Sequence, residues 1–222
     1  MNVVLLHADR TLPALMQGDS VPWLQSPQPG VERRLLERAG GEVAVASSIV
    51  RYAPGSSFAL HSHDLGEEFL VLEGVFSDEH GDYPAGTYVR NPPGSRHAPF
   101  SEAGCTIFVK LRQMPPSESR SVRVRAKDRV WAATLHIGHE RTLLFASDKE
   151  LVELESLAPG MQRPYAACPG GDELFVVRGS LDLLEPERVT LRPWAWSRLP
   201  ASRHSGRAGP DGALLWVKRG HP

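Results

Sequence analysis

The residues best suited to chemistry lie in two short stretches. Between Gly55 and Gly74 the chain carries His61, Ser62 and His63, then Glu67 after a short turn at Gly66. Alternate residues of a strand share a face, so His61 and His63 can point together into a barrel interior, while Glu68 should face away from Glu67. A second stretch, Gly86 to His97, supplies His97 about thirty residues beyond Glu67, where a neighbouring strand could return it to the same place. Three imidazoles and one carboxylate around a small pocket suit one divalent ion, Zn, Fe, Mn, Ni or Cu, and leave positions for water or a ligand. A lone histidine is usually structural. Two imidazoles facing one barrel interior without a metal would need other partners, at about 1–3 kcal/mol for each polar group left unsatisfied, so metal binding explains the grouping more economically.

These side chains must be held by short strands. Segments of β character recur from residue 43 onward, "EVAVASSIVRY", "EEFLVLEGVF", "GTYVRN" and "CTIFVKLRQ", separated by Pro54-Gly55, Pro84-Ala85-Gly86 and Pro92-Pro93-Gly94. The second half restates the first at an offset of about 105 residues: "APG" at 53–55 returns at 158–160, and "GEEFLVLEG" at 66–74 returns as "GDELFVVRG" at 171–179. "PGSRH" ending at His97 is echoed by "PASRH" ending at His204, and "TIFVKLR" by "ALLWVKR". The chain therefore reads as a duplicated all-β domain with its boundary in the Pro/Ser-rich Met114–Ser119. The expected ranges are 1–116, with an arm at 1–30 that packs across a barrel or frays, and 117–222.

Composition narrows the function. The 222 residues carry a net charge of −1 with both signs scattered, which gives no footprint for nucleic acid or an anionic membrane. No apolar run is long enough for a transmembrane helix, and the N-terminus lacks the pattern of a secretory leader, so a soluble, cytoplasmic protein is expected. Two cysteines, Cys105 and Cys168, are too few for a disulfide framework, and Cys105, in an apolar strand, reads as a buried small hydrophobe. Arg120 to Arg125 alternates basic with small or apolar residues and reads as an edge strand with a solvated basic face.

The two chemistry-bearing stretches resemble the two motifs of the cupin superfamily, with their glycines and prolines in register. His61, His63, Glu67 and His97 fall on the four positions that supply metal ligands in cupins; the asparagine that often follows the second motif is replaced by Ser101. Within the superfamily, "VRYAPGSSF", "GEEFLVLEGVFSDEHGDYPAGTYVRNPPGSRHAP" and "GCTIFVKLRQ" resemble the cupin domain of ChrR-type anti-sigma factors across residues 22–115. The resemblance implies tandem double-stranded β-helix (jelly-roll) barrels, often a zinc ion, and, in the best-known members, control of an extracytoplasmic-function sigma factor. Those regulators grip the sigma factor with a helical zinc-binding domain, which residues 1–30, short and without cysteine, do not resemble.

Carried to the second repeat, the pattern puts Ala166 and Cys168 where the histidine pair should be, Asp172 at the Glu67 position and His204 at the His97 position; Cys168, Asp172 and His204 are a conceivable zinc set, but three partial ligands are more often the remnant of a decayed site. Trp194, Trp196 and Trp216 are expected to fill the core or mouth of that barrel. Two functions follow. The first is a regulatory or sensing module with one divalent ion, zinc first, whose exchangeable position meets a small molecule or whose surface meets a protein partner. The second is a metal-dependent (Fe, Mn or Ni) dioxygenase acting on a small chelating substrate, with Tyr52, Tyr83 and Arg90 as candidate proton-moving or polar groups. A homodimer is expected from the way cupins pair their sheets.

Overall fold

A computed structural model describes residues 3–41, 43–163, 170–184, 188–200 and 206–220. Its regular structure is all β apart from two 3-10 turns, Gly18–Ser20 and Ala126–Asp128, and no helix of the described residues is long and apolar enough to cross a membrane. Two compact units emerge, one of residues 1–8 and 21–128 and one of 9–20 and 129–222. The division falls after the Val122–Val124 strand rather than within Met114–Ser119, because that strand pairs with Tyr88–Asn91 of the first unit. The N-terminal stretch is pinned rather than frayed: Val4–Leu6 pairs with Arg38–Gly40, and Ala14–Met16 pairs with Trp196–Arg198 of the second unit.

The first unit is built on an antiparallel path in which Val31–Gly40, Ala44–Tyr52, Cys105–Leu111, Glu67–Asp78 and Tyr88–Asn91 are successive neighbours. Alternation along these strands sends Val31, Tyr52, Phe69, Val71, Val89, Ile107 and Val109 to one apolar interior. Cys105 joins that interior, and burial pushes its thiol up to about 11, which agrees with an inert small hydrophobe. The opposite face is buried as well and carries polar pairs: Tyr88 Oη and Arg90 Nη1 donate to Glu68 Oε2 at 2.7 and 3.0 Å. Glu68 thus faces away from Glu67, as one-residue alternation requires, and Arg90 goes with it.

The second unit repeats the plan with His139–Ala146, Leu151–Leu157, Gly206–Arg219, Asp172–Leu183 and Trp196–Leu199 as successive neighbours. Both long central strands use one device to bend. Gly74 and Gly179 have φ of +70° and +71°, and a Cβ at either would come within 2.1 Å of a carbonyl oxygen, that of Gly104 or of Gly212. Only glycine meets both demands. Leu174, Val176, Leu215 and Val217 fill the interior, so their neighbours Phe175 and Trp216 face the other side of the sheet. Trp196 and Trp216, both paired with Phe175, are fully buried on that side, and the expectation that they fill the barrel core or mouth is corrected accordingly.

The basic run also needs correcting. Arg125 is exposed and Arg120 is paired with Glu118, but Arg123 is half-buried and turned toward Asn91 and Tyr83 rather than toward solvent. Edge pairing was legible in the alternation; the inward turn of Arg123 was not.

Candidate metal centre

The strand His61–His63 is paired antiparallel with Ser95–His97, with His97 opposite His61 and Ser95 opposite His63. In that register the three imidazoles project from one face of a two-stranded ribbon. Their ring centroids form a nearly equilateral triangle with sides of 4.8, 4.9 and 5.1 Å. One ligand-type nitrogen from each lies within 4.8 Å of the others, so the group could hold a metal ion. His63 and His97 are buried and His61 is half-buried.

Glu67 reaches the same point from the neighbouring sheet. Gly66, at φ +76°, makes the turn; a Cβ there would meet Met114 Sδ at 2.4 Å. Glu67 then sits between Asn91 and Leu111 in the sheet register. Its Oε2 is 3.5 Å from His63 Nε2 and 3.5 Å from His97 Nε2, and those two nitrogens are 3.1 Å apart. Four donors bound at about 2.0–2.2 Å around a tetrahedral ion stand about 3.3–3.6 Å from one another; the two spacings to Glu67 fall in that range and the His63–His97 spacing is slightly shorter. The structure thus gathers His61, His63 and His97 into one cluster and sets Glu67 beside two of them, His63 and His97.

The imidazoles are oriented from behind. His61 Nδ1 is 2.9 Å from the Ala59 carbonyl oxygen and His97 Nδ1 is 3.2 Å from Asp78 Oδ2. With Nδ1 carrying the proton in each, Nε2 keeps its lone pair for the centre, the arrangement by which histidine ligands are ordinarily fixed. Asp78 also accepts from Tyr83 Oη at 2.9 Å and from the His80 backbone N–H at 2.8 Å. Asn91 Nδ2 donates to Glu67 Oε2 at 3.0 Å. Asp78 and Asn91 were missed in the sequence. Asn91 lies opposite Glu67 only through the strand register, which the sequence does not reveal, and Asp78 carried no signal beyond its place at the end of a strand.

Charges follow the same geometry. Burial works to raise the Glu67 carboxyl, but His63, His97 and the Asn91 hydrogen bond bring it below its ordinary value. Burial lowers His63. It would lower His97 too, but the hydrogen bond to Asp78 and the Glu67 charge raise it instead. The centre opens on a cavity of about 690 Å³ whose apolar walls include Val50, Phe58, Ile107 and Val109. Besides the histidines and Glu67, its ionisable lining residues are Arg33, Arg38, Tyr52, Asp64 and Arg112. Of the three polar candidates named from sequence, Tyr52 lines this cavity, Tyr83 stands behind His97, and Arg90 belongs to the opposite face. Ser101, where an asparagine is usual, is buried and donates to the Val75 carbonyl oxygen at 2.6 Å.

In the second unit Asp172 occupies the Glu67 position but already has cationic partners. Arg163 Nη1 is 3.0 Å from Asp172 Oδ2 and Arg163 Nε is 2.7 Å from Glu155 Oε2, while Arg219 binds Glu153 and Glu155. Burial would raise Glu155, but Arg163 and Arg219 hold it down at about 2. The described carboxylates of this interior are thus paired with guanidinium groups. Ala166, Cys168 and His204 lie outside the described residues.

Comparison with known proteins agrees with the fold. Residues 12–115 match the family described as the ChrR cupin-like domain. No curated protein matched the sequence. Among solved structures, the protein YlbA of E. coli superimposes with a TM-score of 0.73 at 14% identity, covering 99% of this chain and 94% of that one. A provisionally assigned dioxygenase of Nostoc punctiforme gives 0.72 at 16% identity, covering 93% and 82%. The oxalate decarboxylase of Lactobacillus farciminis, solved as a formate complex, gives 0.67 at 11% identity, covering 94% and 86%. Likeness at such identities concerns the fold alone. Residues 12–115 thus match the ChrR cupin-like domain, and the chain as a whole shares the two-barrel fold of these solved structures.

Proposed function

We propose that this protein is a metal-binding regulatory module that holds one divalent ion, zinc first, through His61, His63, Glu67 and His97, and senses a small molecule at that ion. Such an ion would supply Lewis acidity and exchangeable coordination positions facing the cavity. The observation that favours sensing over general acid–base turnover is the cavity lining. Among its described ionisable residues outside the ligand set, three are arginines, whose guanidinium groups only donate; burial pushes the Tyr52 hydroxyl well above its ordinary range; and Asp64 is exposed and held down by its hydrogen bond to Arg112. None is poised to exchange a proton near neutrality, which general acid–base catalysis needs.

The ligand class follows from charge. Three neutral imidazoles and one carboxylate leave a divalent ion with a net positive charge, and Arg33 and Arg38 add to it from the cavity wall. A small anion with an apolar body, its charged end toward the ion and the arginines, complements this surface. Ligand-dependent change at a surface that meets a protein partner would complete the regulatory reading. A second reading, a dioxygenase of the Fe, Mn or Ni type, is favoured by the same open, largely apolar cavity, because oxygen chemistry at a metal needs room for a chelating substrate more than it needs a separate base.

Protein purified without a histidine tag separates the two. About one zinc per chain, with no oxygen uptake on addition of diketones or small carboxylates after iron loading, supports the sensor. Native iron with substrate-dependent oxygen uptake overturns it in favour of the enzyme.

A further inference from the structure

Arg123 stands at the end of two hydrogen-bond chains that reach two different residues of the proposed ligand set. Its strand, Val122–Val124, pairs antiparallel with Tyr88–Asn91, with Arg123 opposite Val89. From there Nη2 donates to Asn91 Oδ1 at 2.8 Å, and Asn91 Nδ2 donates to Glu67 Oε2 at 3.0 Å. Nε donates to Tyr83 Oη at 3.3 Å, Tyr83 Oη donates to Asp78 Oδ1 at 2.9 Å, and Asp78 Oδ2 faces His97 Nδ1 at 3.2 Å. The guanidinium is itself held by Nη1, which donates to the carbonyl oxygens of Arg90 at 3.1 Å and Val122 at 3.0 Å and to Ser121 Oγ at 2.9 Å.

The chemistry of arginine makes this arrangement directional. A guanidinium only donates, so the group facing it must accept. Asn91 can meet Arg123 only with its amide oxygen, which turns its NH₂ toward Glu67 and forbids the flipped amide, which would set carbonyl oxygen against carboxylate. Tyr83 must likewise accept from Arg123 through its oxygen, which leaves its hydroxyl proton for Asp78. Asp78, so engaged on one oxygen, presents the other as a carboxylate to His97, keeping the proton on Nδ1 and the lone pair on Nε2. One planar cation thus fixes the polarity of both chains, a task for which its fork of N–H groups suits it and a lysine ammonium does not.

We infer that Arg123 is a positioning residue of the metal centre and that docking of the Val122–Val124 strand is linked to metal occupancy. The inference rests on the metal reading above and extends it to a residue that touches none of the proposed ligands. By linkage, whatever strengthens metal binding when the strand is docked also makes the metal hold the strand.

The test uses the full chain, tag-free and stripped with a chelator. Wild type, Arg123→Ala, Arg123→Lys and Arg125→Ala are titrated with Zn²⁺ against a chromophoric chelator and with Co²⁺ for its visible spectrum. Arg123→Ala is expected to weaken Zn²⁺ binding about 10- to 100-fold, the range for residues that orient metal ligands, and to shift the cobalt bands. Arg123→Lys falls between, and Arg125→Ala, on the exposed part of the same run, stays within twofold with an unchanged spectrum. Amide exchange across residues 120–125 slows on metal addition in wild type and not in Arg123→Ala. Wild-type zinc affinity and cobalt spectrum in Arg123→Ala overturn the inference, and if that variant does not fold, the same result in Arg123→Lys does so. A wild-type chain that binds neither ion overturns the metal reading first and this inference with it, an outcome distinct from equal binding by wild type and variant.

Discussion

Replacing Glu67 by glutamine isolates the one negative charge of the proposed ligand set with little change in volume. Glu67 is buried, and its Oε2 lies 3.5 Å from Nε2 of both His63 and His97 while accepting from Asn91 at 3.0 Å. A glutamine can still accept from Asn91, so the amide chain behind it survives and the loss falls on the ion. Removing one member of a buried opposite-charge pair typically costs about 3–5 kcal/mol. At about 1.4 kcal/mol per decade, that is a weakening of zinc affinity by roughly two to three and a half powers of ten. Competition against a chelator of known affinity measures the change, and thermal unfolding checks it independently, since each decade lost removes about 1.4 kcal/mol of ion-dependent stabilisation at fixed free metal. Zinc binding within threefold of wild type would refute the reasoning, because the carboxylate would then stand beside the ion's place without coordinating it.

Three further outcomes follow from the geometry. Asp78→Asn, which leaves the four proposed ligands intact but weakens the acceptor behind His97, should reduce zinc affinity about 10- to 100-fold, as measured by the same competition; unchanged affinity would mean that the Asp78–His97 contact is incidental. Acid sensitivity should be marked in the second unit: Glu155 is at about 2 in the fold against an ordinary 4.5, so its stabilising contribution is complete above about 4.5 and is lost as pH falls toward 2. Urea midpoints followed from pH 7 down to pH 3 should therefore fall more steeply for wild type than for Glu155→Gln, and parallel curves would contradict the assignment. Gly74→Ala and Gly179→Ala should each destabilise the protein by about 1–3 kcal/mol or more in denaturant unfolding, since each forces an alanine into the left-handed region against a carbonyl oxygen; a neutral effect at either position would show that the bend does not depend on glycine.

Much of this architecture could be read from the chain because its signals are local and repeated. Turn residues at regular intervals and the fixed offset between "GEEFLVLEG" and "GDELFVVRG" mark the duplicated β domain, and the His-Ser-His spacing forces two imidazoles onto one face whatever the strand pairs with. Three-dimensional register was harder to see. Asn91 reaches Glu67 only because Tyr88–Asn91 pairs with the long central strand, and Arg123 reaches Asn91 and Tyr83 only because Val122–Val124 adds to that same edge. An alternating basic run has the same appearance whether its arginines point to water or to buried acceptors, so sequence periodicity gave Arg123 the wrong surroundings. Trp196 and Trp216 were misplaced for a related reason: alternation decides which residues share a face, but not which face is the barrel interior when both are buried.

X-ray absorption at the edge of the metal in the loaded, tag-free protein tests the central claim most directly, because it counts the atoms around the ion without reference to any fold. Coordination by three imidazole nitrogens and one or more oxygens at about 2.0–2.2 Å, with no sulfur, is the predicted shell. A sulfur scatterer at about 2.3 Å, or fewer than three imidazoles, would place the ion elsewhere and contradict the assignment of His61, His63, Glu67 and His97.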